Sequence, residues 1–281
     1  MLLTLTLALS LASSPTAPDT LKRASQTRPA DVEQGPKRQL RPLNADRPGV
    51  TESPNTVGRG RMQLETDLVR LITSKPSQEP RSRVMRLNAF AIRAGLTDHT
   101  EVQVFVDPYT VEKQWEPGEP MERSAGFGDV ALRMKHNFIG DDDEADALVV
   151  AAIGFVRLPT GGSQGTGGYE YGILVPATYN FQHEWHISAQ AASFLSYDRD
   201  AKQHAVELAP SVAVDHGFND WLAAFAEFST SKNLKTHQWN SAISTGPIFH
   251  VSERVQLDFG RRFAISSSAE REYYVGLVIE R

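Results

Sequence analysis

The sequence predicts an all-β protein, a transmembrane antiparallel up-and-down β-barrel of about 12 strands behind a disordered N-terminal arm. Three observations carry that expectation. From Met62 to Arg281 polar and apolar residues alternate with period two, as in strands that have one apolar and one polar face. The connections alternate between longer, looser segments and short turns, which is how such barrels distribute their loops. Mean hydropathy is −0.35 and no run of about 20 apolar residues occurs, which excludes a helical span but not an alternating barrel. The 281 residues carry 29 Lys and Arg against 34 Asp and Glu, a net charge of −5, which argues against a nucleic-acid binder with a basic surface. There is no Cys, so no disulfide and no thiolate metal site, and no cofactor is implied.

Taken in order, Leu2 to Leu11 is almost all Leu, Thr and Ala, too short to span a bilayer. Small residues Ala12, Ser13 and Ser14 follow, then Pro15, so a secretory signal is expected over 1–17. Residues 18–61 are rich in Pro, Gly, Asp, Arg, Ser and Thr and poor in large apolar residues. They cannot bury enough surface to offset chain ordering, and a flexible periplasmic arm is expected. Its polar, Arg-containing composition suggests entry into the barrel lumen from the periplasmic side. The barrel itself is expected over 62–281.

Cutting at turn residues places strands at 62–73, 83–95, 100–107, 127–138, 146–158, 169–180, 185–197, 203–215, 220–230, 237–249, 254–264 and 271–280. The longer connections fall at 74–82, 108–126, 159–168, 198–202, 231–236 and 265–270, the short turns at 96–99, 139–145, 181–184, 216–219 and 250–253. An even count sets both ends of the barrel on the short-turn side. Lipid offers no hydrogen-bond partner, so the sheet is expected to close and leave no edge. Aromatic residues near segment ends, such as Phe127, Phe138, Tyr171, Trp185, Trp221 and Trp239, suit interfacial girdles. Pro176, Pro210 and Pro247 fall inside proposed strands and predict bulges or strand ends there.

The polar faces would line the lumen. The lumen-facing, solute-contact candidates are Glu65, Asp67, Arg86, Glu101, Asp129, Arg133, Lys135, Glu227, Asp258 and Arg262. An Arg or Lys on the lipid face would cost about 2–4 kcal/mol at mid-depth. Both signs are present, so pairing across the lumen is expected rather than strong ion selectivity. Other chemistry is weakly signalled. The Gly-rich stretch 161–168 lacks a Lys and a following helix, and reads as a flexible outer loop. His183 and His186 imply no third metal ligand. Ser188 and His186 share a strand face, but alternate strand residues sit about 7 Å apart, too far for a nucleophile and base. No catalytic or metal residue is therefore assigned, and no enzyme is expected. Gly126-Phe127-Gly128-Asp129 reads as a twist or bulge, with Asp129 paired inside the lumen.

Several short motifs occur together. They are Asp46-Arg47-Pro48-Gly49-Val50-Thr51-Glu52-Ser53-Pro54 followed by Gln63-Leu64-Glu65-Thr66; Arg93-Ala94-Gly95-Leu96-Thr97-Asp98 with Glu101; Gly126-Phe127-Gly128-Asp129-Val130 with Lys135; Leu158-Pro159-Thr160-Gly161; and Val255-Gln256-Leu257-Asp258. In their order and spacing they resemble the family of outer-membrane transporters named for the meta-cleavage pathway of phenol degradation, over about residues 44–281. The resemblance implies a bacterial outer-membrane barrel for passive passage of small, aromatic or hydrophobic molecules. Its partners would be outer-membrane lipid, the barrel assembly machinery and a small-molecule solute. Such barrels usually finish on an aromatic residue that the assembly machinery reads. This chain departs from that pattern with Leu277-Val278-Ile279-Glu280-Arg281. Three other readings remain open: a non-conducting structural barrel, a barrel lipid hydrolase, and a secreted soluble β-sandwich binding module.

Overall fold

Period-two sequence becomes a closed antiparallel wall. The computed structural model describes residues 41–75, 80–107, 109–140 and 147–281; the expected signal segment lies outside them. β1 (Met62–Thr73) and β2 (Arg81–Gly95) pair from Met62 opposite Ala94 to Thr73 opposite Arg83, except at Leu68 and Asn88, where Asn88 takes a φ of 55° and the inward and outward faces of both strands exchange. β3 (Thr100–Val106) and β4 (Tyr109–Trp115) both pair with β2 and form one stave, interrupted after Val106. β5 (Glu122–Gly126) and β6 (Val130–Ile139) form the next, interrupted at Phe127-Gly128-Asp129. β7 (Leu148–Leu158), β8 (Glu170–Asn180) and β9 (Trp185–Asp198) follow. β10 (Gln203–Leu208) and β11 (Ser211–Asn219) share a stave between β9 and β12 (Leu222–Asn233), broken at Ala209-Pro210. β13 (Trp239–Ser252), β14 (Val255–Ala264) and β15 (Arg271–Glu280) complete the circuit. β15 returns to β1, from Gln63 opposite Glu280 to Thr73 opposite Arg271. Fifteen strands thus build twelve staves, three of them double, and none of the described residues is helical.

Closure of β15 on β1 pairs the strand edges around the barrel, which is the condition for a sheet in hydrocarbon; β5, in the outward extension, pairs with β4 alone. Leu64, Ile92, Val104, Met134, Ile173, Phe228 and Ile243 are exposed on the outside, while their neighbours Gln63, Arg93, Gln103, Lys135, Glu227 and Ser244 are buried within. Apolar residues therefore face outward, the reverse of a water-soluble sandwich. On the short-turn side the outer aromatics form contacts, including Trp185 stacked on His216 at 4.2 Å and Tyr179 against Phe181 at 4.6 Å. Such clusters fit the headgroup level.

The wall differs from the sequence-based boundaries most at 108–126, 216–219 and 250–253, the last because β13 runs on to Ser252 and pairs His250 with Gln256. Residues 108–126, expected as a loop, carry the sheet further outward through β4 and β5, because Tyr109, Val111 and Lys113 keep alternating with Thr110, Glu112 and Gln114 and find partners on β2. The expected turn at 216–219 also belongs to the ladder. His216 and Gly217 pair with Ala224 and Ala223, and the chain reverses at Asp220 and Trp221. The prolines act as expected of residues without an N–H. The β7–β8 register is interrupted opposite Val175 and Pro176, and the β13–β14 register opposite Gly246 and Pro247. At the second interruption the strands press together. A Cβ on Gly246 would lie 1.8 Å from the Phe259 carbonyl oxygen, so only Gly fits. Outside it lies a recess lined by Val69, Pro247, Tyr273 and Tyr274.

Candidate functional site in the lumen

The segment 41–61 has few large side chains with which to make a core, but many charges and free backbone groups. A barrel lumen lined with complementary charges satisfies both. The segment lies inside the wall next to the turn-side ends of β1, β2, β3, β6 and β14. Arg93 of β2 is the centre of the seat. Its guanidinium donates to Glu101 Oε1 and Glu65 Oε1, both at 2.8 Å, and to the carbonyls of Asn44 at 2.9 Å and Asn55 at 3.1 Å. Arg93 is 0% exposed, so its fork must find all its acceptors within the protein. The ammonium of Lys135 on β6 pairs with Asp46 and donates to the Ser53 carbonyl at 2.8 Å. Gln103 donates to Asp46 at 3.1 Å, and Val57 N donates to Glu101 Oε2 at 2.8 Å.

A second set of contacts holds the next residues across the lumen. Arg47 donates twice to Asp258 of β14, at 3.1 and 2.8 Å, and once to Asp67 of β1 at 2.6 Å. Glu227 on β12 accepts from Val50 N at 2.8 Å and Thr51 N at 2.7 Å through one oxygen. Gln190 on β9 donates to the Val50 carbonyl at 3.0 Å and accepts from Glu52 N at 3.1 Å. Thr51 Oγ1 donates to Ser211 Oγ at 2.8 Å, and Glu52 pairs with Arg133 of β6. The path of the segment also selects glycines. A Cβ on Gly276 would sit 1.8 Å from the Arg47 guanidinium, and one on Gly95 would sit 1.7 Å from the Gly58 carbonyl oxygen. Burial alone would raise the Asp46 carboxyl, but Arg93, Lys135 and Arg133 outweigh it and hold the group below its ordinary value.

Glu65, Asp67, Glu101, Arg133, Lys135, Glu227 and Asp258, expected to face the lumen, thus all touch either the inner segment or the side chains that hold it. Asp129 does something else. Its carboxylate accepts from Gly161 N and Thr166 N, each at 2.7 Å, and from Thr166 Oγ1 at 2.8 Å, and so ties down the Gly-rich connection between β7 and β8. Arg262 stands 3.5 Å from Glu272. Arg86 is exposed and makes no hydrogen bond or ion pair with another described residue. Sequence reasoning missed Arg93, Asp46, Arg47 and Gln190 as lumen groups. For Arg93 a signal exists, since it continues the inward set of Ala91 and Ala89. His186 meets Asp215 at 2.7 Å and Ser188 meets Thr178 at 2.8 Å; no cluster of three possible metal ligands occurs among the described residues.

Above the seated segment, toward the longer loops, lies a cavity of about 510 Å³. One wall is apolar: Phe105, Phe155, Leu174, Phe194, Ala209 and Pro210. Phe155 and Phe194 lie 5.8 Å apart, and Gly172 leaves them room, since a Cβ there would stand 2.2 Å from the Phe155 ring. The Arg133 guanidinium lies over Phe105 at 4.4 Å. The remaining wall carries Arg47, Asp67, Arg70, Arg86 and Arg262. The space can take a small molecule with an apolar body and leave its polar end among charges.

A closed wall with its apolar face outward and its charges turned into a plugged lumen defines an outer-membrane β-barrel, in the fold of the channels of that membrane. The chain belongs to the family described as "Putative MetA-pathway of phenol degradation", whose pattern matches residues 45–275. Among solved structures it resembles the COG4313 outer membrane channel from Pseudomonas putida F1, with a TM-score of 0.60 and 10% identity over 84% of this chain and 99% of that one. It also resembles the NanC porin, with a TM-score of 0.51 and 8% identity over 78% and 98% of the two chains. No curated protein matches the chain.

Proposed function

We propose that the protein is a passive outer-membrane channel for small aromatic or hydrophobic molecules, without an enzymatic step. The observation that carries this reading is the cavity of about 510 Å³ above the inner segment, with its phenylalanine-lined wall. Such a wall offers an apolar solute a favourable but shallow site, and passive flux needs binding weak enough to leave. Arg86, charged and without a hydrogen-bonded partner, is the lumen group best placed to meet a solute's polar end. In this reading the inner segment shuts the turn side and shifts for passage.

A pair of cysteines tests it. Thr51 and Ser211 touch through their hydroxyls, and the chain has no cysteine of its own. Thr51→Cys/Ser211→Cys should pass benzenesulfonate, an aromatic anion that does not cross lipid unaided, into liposomes when reduced and stop when oxidised. The seated segment also favours one rival, the non-conducting barrel. That reading predicts no flux in either redox state, and such a result would replace ours.

A further inference from the structure

Beyond the lumen, the extended corner of the wall carries a row of charges on its outer face. Directly paired positions point to the same side of a sheet. Arg83 on β2 is opposite Lys113 on β4, and Lys113 is opposite Arg123 on β5. All three share the outward face with Met85, Val111 and Ala125, one register step of the same face nearer the membrane; on the inward face Thr110 is buried. Cross-strand neighbours stand about 4.5–5.5 Å apart at Cβ, and like charges at that distance destabilise a sheet. Yet none of the three makes an ion pair or hydrogen bond with another described residue. Among the described residues the acidic groups nearby do not answer them: Glu116 and Glu119 are in the turn beyond Trp115, and Glu112 and Glu122 take the inward face.

Their height is informative. Arg83 lies twelve positions along β2 from Gly95 at the turn side. At about 3.4 Å per residue and a tilt of about 45°, that is about 29 Å, just past an apolar band about 25 Å tall. Below the row the wall is apolar, with Tyr109 packed edge-on against Phe127 at 5.5 Å. The row therefore stands at the headgroup level of the outer leaflet. It is a flat outward face, with no enclosure that would hold a free ion. We propose that Arg83, Lys113 and Arg123 form a docking surface for the phosphorylated headgroup of an outer-leaflet glycolipid. The phosphates cancel the mutual repulsion of the three cations, and the acyl chains lie along the apolar wall beneath.

The test uses the full chain folded in detergent micelles, with bisphosphorylated lipid A as the probe and native mass spectrometry as the readout. Each cation near an anionic lipid surface changes affinity about fivefold, so Arg83→Gln/Lys113→Gln/Arg123→Gln should weaken binding on the order of 100-fold. Lys202→Gln/Lys235→Gln, which removes two cations from other outer loops, should bind within about twofold of the unaltered chain. Inorganic phosphate at the same concentration should displace no lipid. Folding of each variant is read from its shift on a gel with and without boiling. Should the triple variant not fold, Lys113→Gln alone should show the fivefold loss. Unchanged affinity in the folded triple variant, an equal loss in the control, or displacement by phosphate would each overturn the proposal.

Discussion

At the scale of single residues, the lumen separates charges that matter from charges that do not. Arg93 is fully enclosed, and Glu65 and Glu101 rely on it. Removing one partner of a buried ion pair leaves the other unpaired in a low-dielectric site, at a cost of about 3–5 kcal/mol. Arg93→Met should therefore lower the unfolding free energy of the refolded barrel by about 3–5 kcal/mol, read from urea titration as an earlier midpoint. The Arg157–Asp107 pair near the rim has side chains 33% and 31% exposed, and Asp107→Asn there should cost under about 1 kcal/mol. Legibility in the sequence follows the same physics. Glu227 and Asp258 were readable because each interrupts an apolar alternation in mid-strand. Arg93 was less so, because it lies beside the turn at Gly95 and Leu96. Asp46 and Arg47 sit in a stretch with no period at all, and their partners on the wall are far away in sequence.

At the scale of elements, the strands follow their alternation and the exceptions have local causes. β4 and β5 were hidden by the irregular residues at Asp107 and at Phe127-Gly128-Asp129, which interrupt the pattern without ending the staves. The Ala209-Pro210 break splits one stave into β10 and β11 while both halves keep the same neighbours. The inner segment, residues 41–61, has no strand partner along most of its length and is held chiefly by side chains of the wall. Such an element can be removed without cutting the ladder. Deleting residues 18–58 should raise single-channel conductance in planar bilayers, since the carboxylates of Glu65, Glu101, Glu227 and Asp258 would then face water-filled space. Unchanged conductance would mean that the segment does not close the lumen.

At the scale of the whole molecule, closure was the most legible property, because an even number of alternating strands with long and short connections has few other solutions. The contents of the lumen were less legible. A phenylalanine-lined inner wall looks, residue by residue, like the outward apolar positions beside it, and only the register tells Phe155 and Phe194 from Ile173 and Leu195. A closed barrel of this kind resists detergent without heat. The protein should migrate differently on a gel before and after boiling and should fractionate with the outer membrane. A soluble sandwich would do neither.

The inner segment runs directly into β1, and only Arg59, Gly60 and Arg61 separate Gly58 from the first strand. Gly58 and Gly60 both have a φ of +75°, a backbone state that few other residues take up freely. A displaced segment would thus stay on a leash beside its own doorway, at a local concentration on the order of millimolar. Re-entry would be a first-order event whose rate ignores how many copies the membrane holds, and each molecule would shut on its own clock.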